Sequence, residues 1–373
     1  MKKIISFVAA CMIAVSASDA LAMADTAECA CVINPVTNEV VFEKEMNKKH
    51  AMASTTKIMT AVIALENCGE DEVVTVSANA ANQEGSSAYI SAGNQMYMGD
   101  VLNGLMLNSG NDAAIAIAEH VAGSVEAFAD MMNKKAAELG AVNTHFVNPS
   151  GLDDPQHYTT ASDMALIAKY AMGMSKFREI VSTSTSQVKP INSEETLYFT
   201  NHNKLLHLYD GATGIKTGFT KSTGRCLVSS AKRDGMEFIA VTLNDPNDWK
   251  DHADLLDYAF SQYEPKRAVN ASDSIKQMNV GGGVYNMTAA NEFVLPVRKG
   301  ENSPITVISH ISENLRAPLN KGEKVGYLEI QYKGKEVGKV DVISEEEIAL
   351  EGEIIIKENF FSVLLRCLKK ILL

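Results

Sequence analysis

The chain has 373 residues, 46% of them hydrophobic and 21% charged, with a formal net charge of −12 at pH 7. That acidic balance excludes a nucleic-acid binder, whose electrostatic footprint is basic. The six cysteines and eight histidines show neither a disulfide framework nor a zinc pattern: Cys29-Ala30-Cys31 lacks a matching Cys or His pair, and there is no H-E-x-x-H. No metal and no cofactor is expected.

In chain order, the first element is a leader. Lys2 and Lys3 precede an apolar run from Ile4 to Ala17, and Ala20-Leu21-Ala22 or Ala22-Met23-Ala24 offers a small-x-small cleavage site. Residues 1–24 therefore read as a secretory signal peptide, with an apolar run short of the ~20 residues needed to span a bilayer. Its removal takes Cys11 and leaves Cys29, Cys31, Cys68, Cys226 and Cys367. About 350 residues remain, enough for two domains with their own cores.

Residues 25–266 carry mixed signals. Cys31–Ile33 and Val40–Phe42 flank the turn-rich Asn34-Pro35-Val36-Thr37-Asn38, a hairpin. Ile58, Met59, Val62, Ile63 and Leu65 recur at helical spacing over Ser54–Glu66. Further helices are predicted over Val101–Leu107, Asp112–Val121, Val125–Leu139 (closed by Gly140) and Ala161–Met172. Strands return at Gly214–Thr220, Cys226–Ala231 and Phe238–Leu243, with Asp234-Gly235 suited to a tight turn between the last two. A helix from about Asp248 to Tyr263 stops before Pro265.

Residues 267–354 change texture. Short alternating runs at Phe293–Val297, Ile305–Ile311, Val325–Tyr332 and Glu336–Ile343 predict a small all-β domain. Over 355–373, Phe360, Phe361, Leu364, Leu365, Leu368, Ile371 and Leu372 share one helical face, and Asn359, Ser362, Arg366, Lys369 and Lys370 the other. This pattern predicts an amphipathic helix whose residues 358–373 lie on a membrane surface.

Three short motifs carry chemistry. In Ser54-Thr55-Thr56-Lys57, an N-cap would account for Ser54 but not for Lys57, a cation where the helix dipole prefers acids. A serine nucleophile beside a lysine base accounts for both: Ser needs an adjacent base, and a desolvated Lys gives up its proton more readily. Ser109-Gly110-Asn111 lies between two helices and is placed to offer a hydroxyl for proton relay and an amide for Lys57 or the substrate. Lys216-Thr217-Gly218 sits on a strand with Phe219 and Thr220 beyond. Gly218 leaves room for a ligand alongside, and Lys216, Thr217 and Thr220 are candidates to hold a carboxylate.

These motifs, in this order, resemble those of the serine D-Ala-D-Ala carboxypeptidases, the low-molecular-mass penicillin-binding proteins. The resemblance extends to Pro35-Val36-Thr37-Asn38, Ala53–Thr60, Asn111–Ala114, Phe146–Leu152, Thr160–Asp163 and Gly214–Thr220, so it covers nearly the whole chain. It implies an α+β, β-lactamase/transpeptidase-like catalytic domain, with a central antiparallel sheet between helical layers, and a β-rich second domain. It implies peptidoglycan stem peptides ending in D-Ala-D-Ala as substrate, β-lactams as covalent inhibitors, and an extracytoplasmic enzyme tethered to the membrane. It also implies an oxyanion hole from the N–H groups of Ser54 and Phe219. One departure is Arg225, where relatives often carry an aromatic residue after Ala-Gly or Thr-Gly; it reads as a surface charge, since arginine is rarely fully buried, with contact to the substrate as the alternative.

Two rival readings share these residues. One is a D,D-endopeptidase or class A β-lactamase on the same scaffold, although Asn148–Asp154 offers no extra deacylating Glu loop. The other is a catalytically silent wall-binding protein, which the intact Ser54, Lys57, Ser109, Asn111 and Lys216 argue against.

Overall fold

The predicted hairpin forms as its turn dictates: β1 (Cys29–Asn34) pairs antiparallel with β2 (Glu39–Lys44). The computed structural model describes residues 23–280, 282–312 and 315–357. Most of the leader and residues 358–373, including the amphipathic pattern, lie outside the described residues. Among the described residues, no helix is long and apolar enough to cross a membrane.

Three later strands complete the sheet: β3 (Ala212–Thr220), β4 (Gly224–Arg233) and β5 (Met236–Leu243), in the order β2-β1-β5-β4-β3. All six residues of β1 are buried because it has a strand on each side and cover on both faces. Asp234 and Gly235, both at positive φ, make the turn between β4 and β5. β3 is an edge strand, which matters below.

The helices of eight or more residues are α1 (Lys57–Asn67), α2 (Met98–Leu107), α3 (Asn111–Ala122), α4 (Val125–Glu138), α5 (Ala161–Met172), α6 (Ser175–Ser182) and α7 (Asp248–Gln262). α1 through α6 share one core with Cys226, Val228, Ile239 and Val241 of the sheet. The alternate sheet residues face α7: Phe238 packs edge-on against Phe260, with ring centres 5.1 Å apart. His252 of α7 is wedged between Ser229 (2.5 Å) and Thr242 (3.0 Å). Burial drops the His252 imidazole to about 3, so it stays neutral and only bridges hydroxyls. The sheet thus lies between two helical layers, as the resemblance implies.

The described residues divide into two compact units, 23–233 with 237–261, and 234–236 with 262–357. The second unit is all β. Its main sheet has six strands, including Ile305–Ile311, Lys324–Tyr332, Lys335–Ser344, Gly283–Ala289 and Ser274–Val280. Two boundaries differ from the sequence expectation. α7 stops at Gln262, and Pro265 lies within a strand, Tyr263–Val269, of a two-stranded pair, where its missing N–H is tolerated. Residues 355–357 are not helical; Ile355–Lys357 extends the six-stranded sheet beside Ser274–Val280.

Candidate active site

Ser54 does not cap an α-helix. It sits in a single 3-10 turn, Ala53–Thr56, that runs into α1, and no side chain caps the turn. The turn is held from below. Ala53 is buried with φ of +47°, a strained conformation for a residue with a Cβ. The Thr55 hydroxyl donates to Met52 O (2.7 Å) and the Thr56 hydroxyl to Ala53 O (2.8 Å). His157 fixes Thr56 in turn. The Val147 N–H donates to His157 Nδ1 (3.1 Å), so Nε2 carries the proton and donates to Thr56 Oγ1 (2.7 Å). Burial lowers His157 to about 4, keeping that neutral tautomer. Gly151, with φ of +88°, lies against Ala53 so closely that a Cβ there would come within 1.9 Å of Ala53 O.

Lys57 begins α1, whose residues from Lys57 to Ala64 are all buried. Its Nζ lies 3.0 Å from Ser54 Oγ, 2.7 Å from Asn111 Oδ1 and 2.6 Å from the Ser150 carbonyl. Among the described residues no carboxylate bonds it. Burial holds the Lys57 ammonium well below its ordinary range; the nearby Lys216 charge pushes the same way, and Asp112 opposes. The three contacts suit a neutral amine: two N–H groups satisfy Asn111 and Ser150, and the lone pair faces the Ser54 hydroxyl.

The Ser109-Gly110-Asn111 corner links α2 to α3. Ser109 is buried with φ of +60°, a second strained residue at the site. The Asn111 side chain donates to Glu84 O (2.6 Å) while its oxygen accepts from Lys57, which fixes the amide orientation. Asp112 ties down the adjoining loop, accepting from Ser87 Oγ (2.6 Å) and the N–H of Ala88 (2.9 Å).

β3 closes the site. Alternation puts Lys216 and Gly218 on the face toward the Ser54 turn, and Thr217 and Phe219 on the opposite face. A Cβ on Gly218 would lie 3.1 Å from Met52 O, Ser54 N and Thr55 N, so the glycine lets strand and turn approach. Lys216 is buried beside Lys57, and burial lowers its ammonium to about 7; its Nζ donates to Thr217 O (3.0 Å). A cavity of about 300 Å³ is lined by Ser54, Ser109, Thr217, Gly218, Phe219 and Arg225, among others.

Two placements correct the sequence expectations. Thr220 is engaged elsewhere: its hydroxyl donates to Asp153 (2.8 Å), which also accepts from Ser222 and Thr223. Arg225 is not a free surface charge. It lines the cavity, and its Nη2 bonds both oxygens of Asp248 (2.9 and 2.8 Å). The short motifs do not reveal Ser150, His157 or Gly151, which act through main-chain position and tertiary contact. The Phe146–Leu152 stretch is the sequence signal for Ser150 and Gly151, and His157 has none.

Residues 14–247 match the family model described as D-alanyl-D-alanine carboxypeptidase, and 263–349 match one described as the C-terminal domain of penicillin-binding protein 5. The chain is 32% identical over 342 residues to D-alanyl-D-alanine carboxypeptidase DacF of Bacillus subtilis, covering 88% of each. Among solved structures, penicillin-binding protein 5 of Haemophilus influenzae aligns with a TM-score of 0.62 at 26% identity, over 87% of this chain and 98% of that one. A Streptomyces K15 DD-transpeptidase variant aligns with a TM-score of 0.61 at 32% identity, over 63% and 98%. The chain belongs to the D-alanyl-D-alanine carboxypeptidase family.

Proposed function

We propose that the protein is a serine D-alanyl-D-alanine carboxypeptidase that removes the terminal D-Ala from peptidoglycan stem peptides through an acyl-Ser54 intermediate. The observation that carries this is the buried Lys57 Nζ, 3.0 Å from Ser54 Oγ, with its other contacts going to uncharged acceptors. Neutral Lys57 takes the Ser54 proton as Oγ attacks the carbonyl of the penultimate D-Ala. The N–H groups of Ser54 and Phe219 receive the developing oxyanion. Ser109 passes a proton to the departing amine, and the C–N bond breaks to release D-Ala. With its first proton gone to that amine, Lys57 is neutral again; water then attacks the ester, Lys57 takes the water's proton and passes it to Ser54 Oγ as the acyl C–O bond breaks. Asn111 and the Ser150 carbonyl hold Lys57 in place throughout. A peptide laid along the edge of β3 pairs with its free main-chain groups, as strands add to an open sheet edge. Thr217 and Gly218 then border its terminus.

In this reading β-lactams acylate Ser54 and stay attached. The enzyme works outside the cytoplasm, held to the membrane by residues 358–373. Mass spectrometry after penicillin treatment should place one adduct on the Ser54 peptide, and Ser54→Ala should lose both the adduct and D-Ala release while keeping its circular dichroism. An adduct on Ser109 would reject the assignment.

A further inference from the structure

Sequence spacing alone predicts no metal. The fold nevertheless assembles a ligand set that spacing hides, away from the catalytic turn. Cys68 caps the C-terminal end of α1, Glu72 precedes the short strand Val73–Thr75, and His120 lies in the last turn of α3. The Cys68 Sγ, a Glu72 carboxylate oxygen and a His120 ring nitrogen all lie within 4.8 Å of one another. No other three such groups converge among the described residues. At the rise of an α-helix, Cys68 stands about 16 Å along α1 from Lys57.

The main chain holds each part in position. The Cys68 N–H donates to Ala64 O (3.0 Å), the Glu72 N–H to Gly69 O (3.2 Å) and the Met98 N–H to Glu72 O (2.8 Å). Cys68 packs against the core of the first unit and is not in a disulfide. His120 Nε2 lies 2.9 Å from Glu72 Oε1, and their side chains are 22% and 46% exposed, so an ion can arrive from solvent. An exposed ion pair contributes little to stability. It accounts poorly for a thiol, an imidazole and a carboxylate turned to one point.

The donor types are selective. Thiolate and imidazole suit cations of the zinc class, whereas calcium and magnesium take oxygen ligands. Zinc bonds of about 2.3 Å to sulfur and about 2.0–2.2 Å to nitrogen and oxygen put tetrahedral neighbours roughly 3.4–3.6 Å apart. The His120–Glu72 pair must open slightly and the thiol close in, shifts that side-chain rotation supplies. Burial, and then the Glu72 carboxylate, push the Cys68 thiol up to about 11. A cation must therefore displace that proton to bind.

We propose that Cys68, Glu72 and His120 bind one divalent cation of the zinc class, with water completing the tetrahedron. The thiol loses its proton to solvent as the sulfur–metal bond forms, and His120 binds through Nε2 with its own proton on Nδ1. Thiolate and carboxylate together balance the two positive charges. The ion ties the C-terminal ends of α1 and α3, the helices that begin at Lys57 and Asn111. The site stands independently of the carboxypeptidase reading.

The test titrates Co²⁺, a spectroscopic stand-in for Zn²⁺, into the purified protein after reduction and treatment with a chelator. A thiolate-to-cobalt charge-transfer band and the intense visible bands of a tetrahedral site should grow to saturation at one ion per chain. Zn²⁺ should abolish both, and Ca²⁺ and Mg²⁺ should leave them. Cys68→Ser should lose the charge-transfer band, and Cys367→Ser should keep it. His120→Ala and Glu72→Gln should each weaken Zn²⁺ binding by more than about tenfold, the least that losing even an outer-shell partner costs. Zn²⁺ should also raise the unfolding temperature of the first unit in the unmodified protein but not in Cys68→Ser. The assignment fails if no charge-transfer band forms, if the band survives Cys68→Ser, or if His120→Ala and Glu72→Gln both keep full affinity. An unfolding temperature indifferent to Zn²⁺ would overturn it as well.

Discussion

The two units of this chain bury different things. Among the described residues, the first buries Lys57, Lys216, Asp112, Asp163, Asp245, Asp248, His157 and His252. Among the described residues of the second, no charged side chain or histidine is buried, and its buried hydroxyl groups are on Thr288, Ser344, Tyr263 and Tyr332. The second unit's core is Val, Leu, Ile, Met and Ala across a sheet. Apolar packing suffices to fold a domain, so a buried lysine must be explained by something else. Among the described residues, Lys57 bonds a serine and two fixed acceptors but no carboxylate. That arrangement costs stability and yields a proton acceptor.

The sharpest break in the comparison is Lys57→Arg. It keeps the charge and removes any accessible neutral form. Acylation by a chromogenic β-lactam and peptide turnover should both fall by about 10²–10⁴-fold, the range for loss of a proton-transfer group. Near-normal rates would mean that Lys57 is buried for structural reasons alone.

Gly151→Ala should come next. Ala53 O and its backbone stand where the new Cβ must go, and φ of +88° is unfavourable to alanine. The cost should be at least about 2 kcal/mol in urea unfolding. The displaced Ser54 turn should lose activity by roughly 10²-fold, since small misplacements of a reacting group are expensive. Stability loss with unchanged kcat would show that the turn tolerates the shift.

The pH dependence separates the two lysines. Lys57 works as the neutral amine, and its folded value is depressed, first by burial and then by Lys216. Acylation should therefore fall as pH drops through that depressed value and level off above it. Lys216→Met removes a neighbouring positive charge that helps drive the proton off Lys57. The acid limb should then move to higher pH, measured as the acylation rate constant across pH 5–10. An unmoved limb would mean that burial alone sets the Lys57 value.

Much of this was legible in the sequence, and the physical reason differs by element. The helix at Lys57 and the strand at Lys216 showed themselves through apolar periodicity, and the motif residues through their chemistry. The strands Ser274–Val280 and Gly283–Ala289 did not, because SIKQMNV and GVYNMTA mix polar and apolar residues without clean alternation. Ser150 contributes a carbonyl, which no side-chain pattern encodes. Arg225 looked like a surface residue because its partner Asp248 lies on another element, brought in by the fold.

The smallest effect on chemistry should come from the second unit. Val342 is fully buried in its core, between neighbours such as Leu328 and Val340 on adjacent strand positions. Val342→Ala removes two methyl groups and leaves a small void, which should cost that unit about 2–3 kcal/mol. The protein has two cores, so unfolding should be followed with separate probes for each unit rather than as a single transition. Hydrogen exchange should show lowered protection across residues 274–289 and 324–344, while the helices that hold Lys57 and Asn111 keep theirs. Turnover of a small soluble peptide should stay within about twofold of the unmodified protein, because every group placed at the site belongs to the first unit. A proportional fall in kcat would show that the apolar unit supports the charged one, and the contrast between a core that packs and a core that reacts would not hold.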